Sequence, residues 1–496
     1  MKAQKIPKVL FIYPETPSTF WNFKYILKFI SRRAAFPPLG LLTVASILPL
    51  EWDKRLVELN VSDLSDADIA WADLVLISAM IIQGSSAERV IARCHAQGKT
   101  ILAGGPLFTA QPEKFPAVDH IFLGEAENTL PKFVSDWYSG RAEKIYRSSD
   151  WPDIAETPAP MWSLINLNDY VTTTVQFSRG CPYDCEFCDI IILNGRNPRT
   201  KSPQQFINEL EQLYLAGWRG SVFIADDNLI GNKKQIKLML RALIAWQKER
   251  QYPFRFLTQA SVNLGADEEL LELMSASNFF KVFLGIETPN SSSLEECGKK
   301  QNLKNDIVSA VKNINRHGLQ VMGGFIIGFD NDPEDIFEQQ KAFIESIGVI
   351  VAMVGLLTAL PGTRLYNRLK DENRLTADST GGNTDAFLNF IPKMDKEELI
   401  AKYRTLIKTL YSAKSYYKRI NSFLRDYHPS VRGGRLSWRD IKAFLKSIVF
   451  IGVFSRSALY YWCLLIKTIL LKPKALSMAV ELAIQGHHFR KMSLDL

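Results

Sequence analysis

Residues 179–190 read RGCPYDCEFCDI, placing Cys181, Cys185 and Cys188 three and then two residues apart in a 496-residue chain that has only six cysteines. Thiolates are soft ligands suited to iron–sulfur clusters and zinc, so the spacing points to a metal centre before it says which metal. A structural zinc site closes with a fourth Cys or His, whereas the nearest histidines in the sequence are His120 and His317. Three ligands on a four-iron cluster would leave one iron open. Zinc, or three unrelated thiols, is the alternative on the cysteines alone. Cys94, Cys297 and Cys463 stand apart and read as ordinary thiols.

Downstream of this loop the chain alternates in type. Strand-like runs at 172–177, 221–225, 254–261, 281–286, 320–327 and 350–357 are separated by helical patterns near 204–217, 233–250, 267–277, 303–317 and 333–347. Six such repeats predict a partial (β/α)6 barrel over 171–395, whose working face is the carboxyl end of each strand. The cysteine loop follows the first strand and Asp226-Asp227-Asn228 the second; Ser261 and Asn263 end the third and Glu287 the fourth. Gly328 and Asp330 follow the fifth, and Thr358 with Pro361-Gly362-Thr363 the sixth. Carboxylates accept from amino and hydroxyl groups, and glycine lets a ring approach the backbone. Taken singly, each is as readily a loop acid or a cap, Asp226 for a helix beginning near Asn232. Taken together, they outline one mouth.

Upstream, residues 1–150 alternate strands near 8–13, 55–59, 74–78, 100–103 and 120–123 with helices near 37–49 and 86–97, which predicts an open, mostly parallel, Rossmann-like α/β sheet. In such a sheet a ligand sits beyond the carboxyl ends of the strands, here Ser78-Ala79-Met80, Gly104-Gly105-Pro106 and Gly124-Glu125. Ordinary tight turns are the alternative. A proline-bearing linker occupies 151–170.

Apolar residues make up 47% of the chain, enough for two or three cores. The net charge of +8 resides in 431–496, with 11 basic and 3 acidic residues, so the body offers no general nucleic-acid surface. A helical C-terminal region is expected over 396–496. From Ser447 to Leu471 the chain is apolar but interrupted by Arg456 and Lys467, too broken for a membrane span. On one helix Arg439, Lys442, Lys446, Arg456 and Lys467 fall within an arc of roughly 100°. With Phe450, Phe454, Tyr460, Tyr461 and Trp462, that pattern suits a helix lying in an anionic membrane surface; packing on the barrel or a second subunit is the alternative. Gly452 is a candidate break, and His487 and His488 read as a solvated terminus. Lys2, Lys5 and Lys8 are followed only by VLFIY, not a secretory pattern, so the expected compartment is the cytoplasm, at most the inner face of the membrane.

The cysteine loop, with Phe187 before its last cysteine, resembles the cluster loop of the radical S-adenosylmethionine (SAM) enzymes. PPLGL, the GGP turn and GEAE are similar to the cobalamin-binding domain that precedes the barrel in class B members. ADDNLIGN, IETPNSSSLEEC, VMGGFIIGFDNDPEDIF, ALPGTRLY and NFIPKMD resemble the subgroup that includes hopanoid C-2 methylases. The resemblance implies a [4Fe–4S] cluster on Cys181, Cys185 and Cys188. It implies SAM against Phe187, Asp226, Asp227, Asn228, Ser261, Asn263, Glu287 and Gly328. Cobalamin is implied against Pro38, Leu39, Ser78, Met80, Gly104, Gly105, Pro106, Gly124 and Glu125. The chain departs from the wider cobalamin family in having no DxHxxG, whose histidine would ligate cobalt. The implied reaction is hydrogen abstraction by a 5′-deoxyadenosyl radical followed by methyl transfer from methylcobalamin to a hydrophobic, lipid-like substrate. An electron donor such as ferredoxin or flavodoxin is implied as well. Cyclisation or rearrangement with the same cofactors is a second reading, and a non-catalytic iron–sulfur or zinc protein at a membrane a third.

Overall fold

The computed structural model describes residues 6–20, 22–382, 384–429, 432–433 and 438–496. Six parallel strands form the N-terminal sheet: β1 (Lys8–Tyr13), β2 (Asp53–Glu58), β3 (Leu74–Ser78), β4 (Thr100–Gly104), β5 (His120–Leu123) and β6 (Ile145–Arg147). Their order is β2-β1-β3-β4-β5-β6. The apolar runs of β1 and β3 are continuous because helices cover both faces of the sheet. Alternate residues serve opposite cores: Leu10, Ile12, Val75 and Ile77 enter one, and Val9, Phe11, Leu74 and Leu76 the other. Strand order reverses between β1 and β3, and the crevice for a ligand opens at their carboxyl ends. The edge strand β6 was not among the expected elements; only its central residue, Tyr146, is buried, so its apolar signal is short.

Six more parallel strands build the barrel: β7 (Thr173–Val175), β8 (Ser221–Ile224), β9 (Arg255–Ala260), β10 (Phe279–Glu287), β11 (Gln320–Ile327) and β12 (Val351–Leu356). The sheet runs β12 to β7 without β12 pairing with β7, so the barrel is open on one side. The helix expected from 303 starts instead at Ile307, because Asp306 caps it by accepting from the amides of Val308 and Ser309.

An unpaired strand edge invites pairing with another chain, and tyrosines from the C-terminal helices cover the edge of β12. The Tyr411 hydroxyl accepts from the Ala352 amide at 3.1 Å and donates to its carbonyl at 2.7 Å, while Tyr403 donates to the Val354 carbonyl at 2.9 Å. The last helix, Leu476–Asp495, is tied to the foot of β10 by a buried ion pair between Glu481 and Lys281.

In the tail one expectation holds and one is corrected. The stretch 439–471 is broken just after the candidate Gly452 into two arms, Trp438–Ser447 continued by a π-helical turn to Val453, and Ala458–Leu471; the side chain of Arg439 lies outside the described residues. A Cβ on Gly452 would stand 3.3 Å from the Trp462 ring of the opposite arm, so the chain reverses where a small residue lets the arms meet. Among the described residues no helix is long and apolar enough to cross a membrane.

His487 and His488 are not a solvated terminus. The His488 ring is fully buried against Phe23 and Phe489, because the last helix passes through the core instead of fraying. Burial pushes both histidines down from 6.5 to about 4. The unfolded chain therefore takes up protons before the folded one does. Their contribution to stability is therefore full above pH 6.5 and is lost as the pH drops towards 4; thermal melting of wild type beside His488→Leu across that range should show it, the variant losing less over the same interval.

Candidate active site

The cysteine loop leaves β7 through Ser178–Arg179, which pairs antiparallel with Arg199–Thr200 and closes the loop on itself. Gly180 has φ +100°, and a Cβ there would lie 2.9 Å from the Gly195 carbonyl oxygen and 3.0 Å from those of Asn194 and Asn197. Only glycine fits so close an approach. The two aspartates after β8 then fasten the loop. Asp226 accepts from the amides of Phe177 at 2.8 Å and Ser178 at 2.7 Å and from the Ser178 hydroxyl, while Asp227 accepts from the Gly180 amide and Asn194 Nδ2, both at 3.0 Å. Asp226 is 1% exposed, and burial pushes it up to about 7. With three internal donors on it, this carboxylate does not lack partners, whatever it also offers to SAM. It does not cap the following helix, a role filled by Asn232.

Burial raises all three thiols, Cys188 to about 12. The groups that favour their thiolates are the backbone amides of Tyr183 at Cys181 and Ile190 at Cys188, the Lys299 ammonium near all three, an Asn228 hydrogen bond to Cys181 and a Gln301 hydrogen bond to Cys185. Among the described residues no His, Cys, Asp or Glu side chains converge closely enough for a single metal ion. Three cysteines on one loop, with a lysine beside them to offset thiolate charge, are a donor set a cluster can use.

Around the same mouth, Asn228 Oδ1 accepts from the Ser261 amide at 3.2 Å, and the Ser261 hydroxyl donates to Asn263. Glu287 ends β10 with φ +67°, a left-handed conformation that costs a non-glycine residue and is found at functional sites. One oxygen of its carboxylate, Oε1, faces Lys299 Nζ at 2.5 Å, which ties this expected SAM residue to the lysine beside the cysteines. Gly328, at φ +105°, donates its amide to Asp332 at 2.8 Å. Phe187 packs 6.3 Å from Phe329, with Lys299 Nζ 5.9 Å from its ring. Asp330 instead pairs with Arg368 at 2.9 Å and Arg374 at 2.7 Å; Arg368 also holds Glu186 of the cysteine loop at 2.8 Å. Lys299, Gln301 and Arg368 escaped the sequence reading because they lie on connections, where a strand-end rule does not reach.

On the facing sheet, a Cβ on Gly105 (φ +92°) would stand 2.7 Å from Ser78 Oγ, so Ser78 and Gly104-Gly105-Pro106 pack as one surface. Gly124 (φ +79°) has nothing within 4 Å of its Cβ position, Met80 is 43% exposed, and Pro38 precedes the helix that starts at Leu39. Small residues bordering open space suit a broad, flat ligand such as a corrin. Glu125, however, is not free to meet it. Arg179 Nη1 donates to Glu125 at 2.6 Å and Arg199 Nη1 at 3.0 Å, while Arg179 Nη2 lies 2.8 Å from Glu127. The GEAE motif is thus a buried clamp on the cysteine loop. A cavity of about 610 Å3 lies nearby, bordered by Ile81 and Ile82 after β3 and by Phe20, Tyr411 and Phe489 beside the open edge of the barrel.

Residues 29–134 match the family model of the B12 binding domain, 175–344 that of the radical SAM superfamily, and 363–495 that of a domain of unknown function. The chain is 45% identical over 415 residues to an uncharacterized methyltransferase of Synechocystis, covering 83% of this chain and 77% of the relative. It is 32% identical over 478 residues to the hopanoid C-2 methylase of Rhodopseudomonas palustris, covering 93% of this chain and 90% of that one. In fold it is similar to the cobalamin-dependent SAM radical enzyme OxsB, with TM-score 0.64 and 15% identity over 99% of this chain and 80% of that one. It is equally similar to the radical SAM methyltransferase TsrM of Kitasatospora setae, with TM-score 0.63 and 12% identity over 97% and 99%. The non-catalytic reading does not survive relatives of this kind. Sequence identity that runs through both modules and nearly the whole of a characterised methylase places the chain among the cobalamin-dependent radical SAM methyltransferases, with a [4Fe–4S] cluster, SAM and cobalamin as its cofactors.

Proposed function

We propose that this enzyme transfers a methyl group to an unactivated carbon of a hydrophobic, polycyclic lipid of the hopanoid class. The observation that carries this reading is the reach of the identity with the hopanoid C-2 methylase, which covers 93% of this chain and so includes its C-terminal helices as well as the cofactor modules. The cavity offers an apolar wall of Phe20, Ile81, Ile82, Tyr411 and Phe489 and a polar rim that includes Glu88, Lys114 and Asp378, which suits a largely apolar ligand with a polar end.

When bound, the cluster with SAM supplies a radical able to take hydrogen from an unreactive C–H bond, and cobalamin supplies the methyl group. The chain's own residues position and shield. Asp226 and Asp227 fix the cysteine loop, Lys299 offsets its charge, and Phe187 with Phe329 keeps water from that end of the barrel. The clamp from Glu125 and Glu127 to Arg179 holds the cobalamin-side sheet edge against the cluster loop, which fixes the distance between the two chemistries.

Lipid profiles of a host with and without the gene test the proposal, alongside anaerobic turnover of the purified enzyme. The expected result is a polycyclic lipid heavier by one methylene unit, formed together with 5′-deoxyadenosine and S-adenosylhomocysteine. Deoxyadenosine with no S-adenosylhomocysteine would instead favour cyclisation or rearrangement. A lipid profile unchanged by the gene would remove the hopanoid class.

A further inference from the structure

The two arms at 438–453 and 458–471 pack on one side only. On the inner side, the Ser447 and Tyr461 hydroxyls meet at 2.7 Å, Trp462 Nε1 donates to the Gly452 carbonyl at 3.0 Å, and Ile451, Leu464 and Leu465 are at most 3% exposed. Helix Lys24–Ile30 packs on the first arm, where Phe29 meets Phe450 with ring centroids 5.4 Å apart, and helices Ala413–Asp426 and Leu476–Asp495 lie beneath. On the outer side the side chains stand open among the described residues. Phe454 is 78% exposed, Leu459 81% and Leu470 74%. Among the described residues, 14 of the 26 exposed large hydrophobic side chains fall within 438–471. So dense an apolar surface marks an interaction site, not ordinary scatter.

Charge selects the occupant. From Trp438 to Lys474 the sequence carries seven basic residues and one acidic one, Asp440, and Arg456 at the turn and Lys467 on the second arm are both exposed. A second copy of the chain would set these like charges against each other. A bilayer span is too long for either arm. Exposed aromatic and aliphatic side chains mixed with an excess of basic ones match the boundary between acyl chains and anionic headgroups.

We propose that this hairpin docks the enzyme on an anionic lipid bilayer, with Phe454, Leu459 and Leu470 entering the headgroup boundary and Arg456 and Lys467 meeting lipid phosphates. The inference rests on the lipid-methylation reading for its purpose but not for its test. Full-length, anaerobically purified protein is floated with phosphatidylcholine vesicles with and without phosphatidylglycerol. Flotation is expected to be roughly tenfold greater with the anionic lipid and to fall as salt rises. Phe454→Ser with Leu470→Ser alters only exposed positions and is expected to abolish flotation on both vesicles. Arg456→Glu with Lys467→Glu is expected to remove only the dependence on phosphatidylglycerol. Equal flotation of wild type and the Phe454/Leu470 variant overturns the proposal. So does an absence of flotation, and self-association relieved by that variant would then identify a second copy as the occupant. Methylation of detergent-dispersed lipid is read separately, so flotation without turnover sinks the proposed substrate and leaves the docking intact.

Discussion

Arg179→Ala is expected to destabilise the junction between the two cofactor modules by about 3–5 kcal/mol, the cost of stripping one partner from a buried ion pair. The Arg179 side chain is 13% exposed and those of Glu125 and Glu127 are 8% and 12%, so solvent does little to screen the loss. Glu125 keeps Arg199 as a partner, whereas Glu127 keeps no cation, only the Thr157 hydroxyl at 3.0 Å and its own backbone amide. The unpaired charge at Glu127 is thus the source of most of the effect. Hydrogen exchange should rise at the amides of 120–127 and 177–181 while the foot of the barrel stays protected. Arg179→Met with Glu127→Leu should recover much of the stability, because it removes both charges together. Unchanged exchange in Arg179→Ala would show that the clamp does not hold the modules together.

Much of the fold was legible because the signals were local. The continuous apolar runs of β1 and β3, the regular spacing of the six barrel strands and the cysteine spacing each sit within a short window. The roles of the acidic residues were not legible. An aspartate that binds a ligand and one that fastens a loop look alike in sequence; Asp226 meets its Ser178 partner 48 residues away, and Glu125 meets Arg179 at a separation of 54. Lys299 was missed for a related reason: its importance comes from Cys185 and Glu287, which only the tertiary fold brings to it. In the tail the helical period was real, but whether it formed one helix or two was decided by the contacts of Gly452 with Trp462 and of Ser447 with Tyr461, which appear only once the arms meet.

Asp226→Ala separates an anchoring role from a SAM-binding one. The substitution leaves the Phe177 amide, the Ser178 amide and the Ser178 hydroxyl without their acceptor in a site 1% exposed. A buried donor without a partner costs about 1–3 kcal/mol, so the three together are expected to destabilise the barrel by about 3–6 kcal/mol, some of it regained by admitted water. Asp226→Asn is expected to be milder but still damaging, since its NH2 group is brought towards groups that are themselves donors. Because Ser178 begins the turn that delivers Gly180 and Cys181, cluster content should suffer before SAM enters the experiment. The expected result is a lower melting temperature of the apoprotein and less than half the wild-type iron after anaerobic reconstitution, measured without SAM. A purely ligand-binding aspartate would behave in the opposite way, with full iron content, unchanged melting and weakened SAM binding. That outcome would return Asp226 to the SAM site and leave the cysteine loop to be held by Asp227 alone, through its contacts with Gly180 and Asn194.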